Sequence, residues 1–170
     1  MMDGALDQRL RLPLMEALQL CDEELELTLA DATLLNERDE RVPTYRFHMQ
    51  VRGSRTIAGE ISLRIGSSPN LVVYYGHIGY HVEPPYRGRR FAARSCRLLL
   101  PLARAHGMDE LWITCNPDNW ASRRTCELAG GVLVDIVDIP PTHPLYRRGE
   151  RQKCRYRFEL RGIAAYELIC

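Results

Sequence analysis

Two adjacent prolines, Pro84 and Pro85, mark the sharpest change of pattern in the sequence. Neither proline can donate a hydrogen bond to a sheet, and the residue before a proline avoids helical angles, so a strand that reaches them must end there. Beyond them a short segment of arginines and one glycine leads into an apolar helical pattern over residues 91–106. The chain is therefore expected to pass from a sheet into a helix within a few residues.

Three strands are predicted before the prolines. Apolar and polar residues alternate over residues 45–51 and again over residues 57–65, which is the two-residue period of a half-buried strand. A third strand is predicted from about residue 71 to residue 82. The first 40 residues instead carry leucines at near-helical intervals and predict one or two short helices. These leucines are Leu10, Leu14, Leu18 and Leu25.

The second half of the chain alternates between helix and strand. A short buried strand is predicted over residues 111–115, a helix over residues 119–129, and two more strands over residues 132–139 and 153–160. A proline-rich loop over residues 140–149 connects the last two strands. This order of elements predicts an α/β (α+β) domain with three layers around a central mixed, mostly antiparallel sheet.

Length and charge narrow the class of protein. The sequence has 170 residues with patterned segments throughout, so residues 1–170 are expected to form a single domain. Its 23 basic and 22 acidic residues give a formal net charge of +1, which excludes a generally basic nucleic-acid binder. Any recognition of an anion must therefore depend on a local cluster of charge.

The cysteines and the start of the chain indicate the compartment. The six cysteines contain no C-x-x-C pair, so we expect free thiols in a reducing environment and no bound metal. No basic segment followed by an apolar stretch opens the sequence, and no run approaches the roughly 18 apolar residues of a membrane span. A soluble, cytoplasmic protein with no membrane partner is expected.

The segment after the two prolines has the character of an anion site. A helix N-terminus presents unpaired N–H groups and a partial positive charge, and arginines here add further charge. The arginines are Arg87, Arg89, Arg90, Arg94 and Arg97. The segment is not a P-loop, because no Gly-Lys-Ser/Thr follows, and it is not the dinucleotide fingerprint G-x-G-x-x-G, because only Gly88 is present. The same pattern also fits a solvated basic helix face.

Two segments resemble motifs of the GNAT (Gcn5-related) N-acetyltransferase superfamily. Residues 82–92 are similar to its acetyl-CoA motif, Q/R-x-x-G-x-G/A at the opening of a helix, with Arg87 and Ala92 in the first and last places. Arg90 stands where the family has its middle glycine. Residues 119–130 resemble a later family motif, an asparagine with a small residue three positions on and a helix that ends in glycine. The two motifs occur in the family's order.

The resemblance implies a GNAT-like three-layer α/β/α domain whose sheet is splayed to admit acetyl-CoA as a cosubstrate. The splay is expected between the strands predicted at residues 71–82 and 111–115, and no metal is implied. The residues that the resemblance assigns to cofactor binding are Val82, Arg87, Gly88, Arg89, Arg90, Phe91, Ala92, Asn119 and Ser122.

The family transfers the acetyl group directly to an amine in a ternary complex, which requires a base for the amine. Family members often supply a glutamate from one of the two splayed strands, but these predicted strands contain no carboxylate. The candidates for the base are His81 and Glu83, with His77 and Glu60 as further candidates.

The departing thiolate of CoA benefits from a proton donor. The family's usual donor is a tyrosine seven residues after the asparagine, and Cys126 takes that place here. A thiol can donate a proton, but a buried helical cysteine is more often inert packing, so Tyr80 or water are alternative donors.

Three functions stay open on this sequence. The first is an N-acetyltransferase acting on an unidentified small-molecule or protein amine, and the second is an acyl-CoA-binding module without catalysis. The third is a phosphate- or RNA-binding domain that uses the arginine cluster alone, although the near-neutral charge makes nucleic acid an unexpected partner. Assembly as a homodimer is a further open question.

Overall fold

The computed structural model describes residues 20–33 and 42–163. In chain order the elements are β1 (Leu25–Thr33), β2 (Thr44–Val51), β3 (Ile57–Arg64), a π-helical turn (Leu71–Tyr75), β4 (Ile78–Val82), a 3₁₀ turn (Pro84–Tyr86), α1 (Phe91–Ala105), β5 (Glu110–Cys115), α2 (Trp120–Leu128), β6 (Val132–Asp138), α3 (Pro144–Arg147) and β7 (Gln152–Glu159). This mixture of helices with antiparallel sheets confirms the predicted fold class.

The strands form two sheets. The first has the order β1-β2-β3-β4 and the second the order β5-β7-β6, and every strand pairing within them is antiparallel. The sequence predicted one splayed central sheet, and the structure separates it into these two halves, with β4 and β5 as the strands that face each other across the gap. None of the helices in the described ranges has the length and apolar character needed to cross a bilayer.

The buried face of the first sheet follows from the alternation in its sequence. Phe47 and Met49 on β2 are almost completely buried, and Phe47 lies opposite Ile61 on β3. α1 packs against this sheet through Phe91, which is 1% exposed, and through a run of leucines further along the helix. Burying one such side chain contributes about 1.5–3 kcal/mol, so this packing fixes where α1 begins relative to β4.

The prediction of helices in the first 40 residues is wrong where the structure describes them. Leu25, which carried part of the helical pattern, begins the strand β1. Leu25 and Leu27 are buried and flank the exposed Glu26, and this two-residue period pairs β1 with β2. The leucines at positions 10, 14 and 18 lie outside the described residues.

The third predicted strand is also wrong in its first half. Residues Leu71–Tyr75 form a π-helical turn, and only Ile78–Val82 is a strand. The apolar run in this segment does not alternate with polar residues, and the Ser68 hydroxyl accepts a hydrogen bond from the Leu71 N–H at the start of the turn. Gly76 ends the turn at a φ of 71°, and a Cβ atom there would lie 2.9 Å from the Thr114 nitrogen. Gly76 therefore brings the turn close against β5.

His77 joins the two sheets at the base of the gap. Its backbone N–H donates to the Trp112 carbonyl oxygen at 2.7 Å, and its Nδ1 accepts from the Trp112 N–H at 2.8 Å. Its Nε2 lies 2.9 Å from the Gly66 carbonyl oxygen, which can only accept, so Nε2 carries the proton. The imidazole is therefore neutral, and burial lowers the pKa of His77. His77, a further candidate for the base, is occupied in holding the fold.

We expect His77→Ala to reduce the free energy of unfolding by about 1–3 kcal/mol at about pH 7.5, because it leaves buried backbone groups unpaired. The lowered pKa makes the unfolded chain bind the proton more readily, so the contribution of His77 is present above its unfolded pKa and is lost as pH falls. The difference between the native protein and the variant should therefore shrink at about pH 5.5.

Urea unfolding at the two pH values measures this difference. His48→Ala is the matched control, since the His48 side chain is 35% exposed and lies on β2 away from the gap. A His77→Ala penalty that is the same at both pH values would contradict the neutral, clamped imidazole.

Candidate active site

A cleft of about 870 Å³ opens where β4 and β5 separate. Beyond the His77 contact, no backbone hydrogen bond between described residues joins β4 to β5. The Glu83 N–H donates to Ala58 on β3, so the alternation of a strand directs the N–H groups of Tyr80 and Val82 to the opposite edge, toward the cleft. The cleft thus has a wall of unpaired backbone donors.

One end of the cleft is formed by the turn before α1. Gly88 has a φ of 83° and Arg90 a φ of 61°, and this turn leads into Phe91 and Ala92, which line the cleft at the start of α1, where the N–H groups of a helix have no partner within the helix. Arg87 lines the cleft, and its Nε donates to the Val82 carbonyl oxygen at 2.9 Å. Arg90 is exposed and also lines it. This end has the backbone donors and positive charge that a phosphate needs.

Two of the arginines predicted as one cluster face away from the cleft. Arg94 forms hydrogen bonds to both carboxylate oxygens of Asp22, and its Nη1 lies 3.0 Å from a carboxylate oxygen of Glu24. Arg89 lies 3.8 Å from Glu24 and over the ring of Phe91, and it does not line the cleft. Acids before β1 therefore compensate these two guanidinium groups, and a phosphate role for Arg89 stays a prediction.

The start of α2 forms a second wall. Asn119 caps the helix, since its Oδ1 accepts from the Ser122 N–H at 3.1 Å, and both residues line the cleft. The Ser122 hydroxyl lies 2.7 Å from the Tyr80 hydroxyl of β4, so this pair bridges the two sides of the gap. Burial raises the pKa of Tyr80, which keeps its hydroxyl protonated. Val82, Gly88, Phe91 and Ala92 also line the cleft, and their role in cofactor binding stays a prediction.

Cys126 lies beneath the cleft and does not line it. It is completely buried one turn after Ser122, in the neighbourhood of Cys115, the last residue of β5. Interaction with the Cys115 thiol and burial raise the pKa of Cys126, and the same interaction lowers the pKa of Cys115. Cys115 lines the cleft, so it stands between Cys126 and the cleft space.

His81 and Glu83 form a pair at the outer edge of β4. The His81 Nε2 lies 3.6 Å from a Glu83 carboxylate oxygen, and both side chains are more than half exposed. His81 lines the cleft, whereas Glu83 does not. Glu60 lies opposite His81 on β3, so the predicted base candidates of β3 and β4 gather at one exposed surface.

The far end of the cleft contains a carboxylate that the sequence reasoning missed. Glu150 lines the cleft with a 21% exposed side chain and forms an ion pair with Lys153, whose Nζ also donates to the Asn116 side chain at 2.9 Å. Tyr74 and Tyr75 of the π-helical turn complete this end. The spacing of Glu150 and Lys153 by three residues was visible in the sequence, but nothing there placed them beside the gap.

The predicted loop after β6 reaches the cleft through few residues. His143 anchors it, with Nε2 2.7 Å from the Asn70 Oδ1 and its ring against Tyr74 at 4.5 Å between centroids. Leu145 and Glu150 line the cleft, while Arg147 of α3 and the following Arg148 do not. Among the described residues, no group of three or more histidine, cysteine or acidic side chains is placed to hold a metal ion.

Residues 12–132, more than half of the sequence, match the family model described as an acetyltransferase (GNAT) domain. No curated protein matches the sequence significantly.

Solved structures share the fold at low sequence identity. The microcin C7 self-immunity acetyltransferase MccE, solved with acetyl-CoA and AMP, has a TM-score of 0.53 at 19% identity over 68% of this chain and 61% of that chain. RimL, a ribosomal L7/L12 alpha-N-protein acetyltransferase, has a TM-score of 0.53 at 18% identity over 69% and 70% of the two chains. The ribosomal-protein-S5-alanine acetyltransferase from Vibrio fischeri has a TM-score of 0.55 at 18% identity over 70% and 63%. The chain thus spans less than two thirds of MccE and of the Vibrio fischeri protein.

The left-handed backbone at Arg90 generates a paired prediction. We expect Arg90→Gly to raise the free energy of unfolding by up to about 1 kcal/mol, since a side chain in this region costs roughly 1–2 kcal/mol and the entropy of glycine offsets part of the gain. Arg90→Ala keeps the Cβ atom at a φ of 61° and should bring no such gain. Urea unfolding of the two variants measures the difference.

Both variants remove the guanidinium group from the cleft end and should weaken the binding of acetyl-CoA, the ligand that the resemblance implies, by a similar factor of about three to ten. Calorimetric titration at low ionic strength measures it. Unchanged affinity in both variants would show that the Arg90 side chain does not contact the phosphates.

Proposed function

The chain belongs to the acetyltransferase (GNAT) family, and we propose that it transfers the acetyl group of acetyl-CoA to a primary amine by direct attack in a ternary complex. The observation that carries this proposal is the continuous cleft from the start of α1 to the gap between β4 and β5. Anion donors lie at one end, a carboxylate at the other, and unpaired backbone N–H groups between them. These are the requirements of direct acyl transfer from a phosphate-bearing thioester.

The phosphates of acetyl-CoA would bind at the start of α1. The backbone N–H groups of this turn and the partial charge of the helix favour an anion, and Arg87 and Arg90 add two guanidinium groups at the same end. Because Arg89 and Arg94 are held by acids before β1, we assign the phosphate contacts to Arg87 and Arg90 rather than to the whole cluster.

The thioester would lie along β4. The N–H groups of Tyr80 and Val82 face the cleft, and an N–H placed near the thioester carbonyl stabilises the negative charge that develops on its oxygen as the amine attacks. The Ser122 hydroxyl, in contact with the hydroxyl of Tyr80, is the donor that we propose for the leaving thiolate. Cys126 lies one layer deeper, so it would act on that thiolate only through Cys115 or Ser122.

The amine of the acceptor would bind beside Glu150. This carboxylate is the acidic side chain among the described residues that line the cleft, and it can hold an ammonium group and accept its proton directly or through one water. His81 lines the cleft too, but its side chain is 60% exposed at the outer edge. We therefore propose Glu150 as the base and keep the His81–Glu83 pair as the competing candidate.

The acceptor itself is proposed only as a class. The solved relatives are named for different contexts, ribosomal proteins in two cases and self-immunity to microcin C7 in the third. A screen of amines should therefore include amino acids, small aminated compounds and peptides with free N-termini, with release of the CoA thiol as the signal. Binding of acetyl-CoA without turnover on any amine would favour the non-catalytic acyl-CoA-binding module.

We expect Arg87→Ala to weaken acetyl-CoA binding about tenfold, because the loss of a charged hydrogen bond costs about 1.5–3 kcal/mol. Arg97→Ala is the matched control, since Arg97 is an exposed arginine of α1 outside the cleft and should leave the affinity unchanged. Calorimetric titration of acetyl-CoA against the three proteins gives the comparison. An equal loss in both variants would mean that general charge, and not the turn before α1, attracts the ligand.

The two candidates for the base give opposite expectations for turnover. We expect Glu150→Gln to lower kcat by about 10²–10⁴-fold, the usual contribution of a positioned base, with little change in acetyl-CoA affinity. His81→Gln should retain kcat within about threefold if its ring only borders the cleft. Steady-state kinetics on the most active amine of the screen distinguishes the two candidates. A larger loss of kcat in His81→Gln than in Glu150→Gln would assign the base to His81.

A further inference from the structure

An arginine that is not on a strand next to the gap reaches the cleft. Arg64 ends β3, and β4 lies between β3 and the gap, yet Arg64 lines the cleft. Its Nη1 donates to the Gly76 carbonyl oxygen at 3.0 Å, beside the point where the two sheets separate. The steps proposed above for acetyl transfer make no use of this guanidinium group.

Gly79 opens the route that the Arg64 side chain takes. Gly79 on β4 lies opposite Ser62 on β3, and Arg64 is two residues after Ser62, so all three are on one face of the sheet. A Cβ atom at Gly79 would lie 3.5 Å from the Arg64 Nη2 and 3.8 Å from its Nη1. The guanidinium group therefore lies across β4, over the position where any other residue would place its side chain.

Arg64 and Glu150 border the cleft on the same side. Arg64 is on the face of its sheet that is turned away from α1, because the adjacent Leu63 is buried in the core with the leucines of α1. On β7, Lys153 likewise alternates with Cys154, which is buried in the same core. Since Lys153 forms the ion pair with Glu150, this carboxylate lies on the corresponding face of the second sheet. That side is opposite to α1, where the phosphates are proposed to bind.

The two charged groups approach the gap from different sheets. An acceptor whose ammonium group lies beside Glu150 would extend its other groups across the gap toward Arg64. A guanidinium group presents a planar fork of N–H donors that matches a carboxylate, and it can donate to the Gly76 oxygen at the same time. Tyr74 and Tyr75 line the cleft at this end and can contact the apolar part of such an acceptor. The arrangement is therefore complementary to a zwitterion.

We propose that the acceptor is an amine that also carries a carboxylate, in the class of free amino acids, and that Arg64 selects it by binding the carboxylate. The inference rests on the proposed function, because Glu150 holds the amine there. The amine nitrogen bonds to the acetyl carbon and the thioester C–S bond breaks. The amine proton passes to Glu150 and a proton is returned to the CoA sulfur, so the products are an N-acetyl amino acid and CoA.

Matched sets of acceptors test this class. Each set contains an amino acid, its amide and the amine that lacks the carboxyl group, such as phenylalanine, phenylalaninamide and phenethylamine. In the most active set we expect kcat/KM for the amino acid to exceed that of both partners by at least about tenfold, because they lack the charged hydrogen bond to Arg64. An amide that equals its amino acid would overturn the inference and favour a peptide N-terminus as the acceptor.

Substitution of Arg64 tests which residue makes the selection. Arg64→Gln removes the charge and keeps an N–H donor, and it should lower the ratio of kcat/KM between amino acid and amide by at least about tenfold. Arg46→Gln is the matched control, since Arg46 lies opposite Ser62 on the same face of the sheet and is exposed outside the cleft. It should keep the native ratio. A native ratio in Arg64→Gln would overturn the inference.

A second pair of variants leaves Arg64 in place. In Gly79→Val the added methyl groups would occupy the space of the guanidinium group, so the ratio should fall as it does in Arg64→Gln. In Gly79→Ala the Cβ atom would lie at ordinary contact distances of 3.4 Å from the Ser62 Oγ and 3.5 Å from the Arg64 Nη2, so the ratio should be retained. A native ratio in Gly79→Val would contradict the route across β4.

Calorimetric titration of acetyl-CoA separates this inference from the proposed function. Arg64→Gln should bind acetyl-CoA with native affinity, which also shows that the variant is folded, because Arg64 lies on the side of the cleft opposite to α1. Transfer to amines without preference for a carboxylate would refute the inference and leave the proposed function intact. The absence of transfer to every amine of the screen would refute both.

Discussion

The contact between His77 and Trp112 determines the geometry on which the rest of the molecule depends. It closes the two sheets at one point, and from there β4 and β5 separate instead of pairing. Continued pairing would satisfy the backbone of both strands but would leave no cleft. Gly76 supports the contact by letting the π-helical turn approach β5, and the Thr114 hydroxyl donates to the Tyr74 carbonyl oxygen at 2.8 Å beside it. The site thus begins at the point where β4 and β5 stop pairing.

The arginines around α1 differ in what they contact. The chain is almost neutral, and four of the five arginines around α1 divide into two groups with different surroundings. Arg94 and Arg89 face the acids at positions 22 and 24, which tie the start of α1 to the segment before β1. Arg87 and Arg90 face the cleft. A local excess of two cations at one end of a neutral protein can select a phosphate-bearing ligand without making the surface a general binder of polyanions.

The sequence predicted the parts of the fold and site that are continuous along the chain. Regular alternation predicted β2 and β3, and the prolines with the arginine–glycine segment predicted the turn into α1. The segment at 71–75 was mistaken for strand because an apolar run without alternation does not distinguish a strand from a helical turn. The start of β1 was mistaken for helix because Leu25 was grouped with the leucines that precede it. Glu150 and Cys115 were missed because only β-sheet register and a distant loop bring them to the cleft.

The two ends of the cleft are built from separate stretches of chain. The phosphate end is one uninterrupted segment from β4 into α1, held by the packing of Phe91 and by backbone geometry. The opposite end combines the π-helical turn with the loop before β7, neither of which contributes to the first. A lineage could therefore exchange residues at the second end and acquire a new acceptor while its use of the cosubstrate is preserved. The capacity of this architecture to change acceptors thus follows from the position at which β4 and β5 separate.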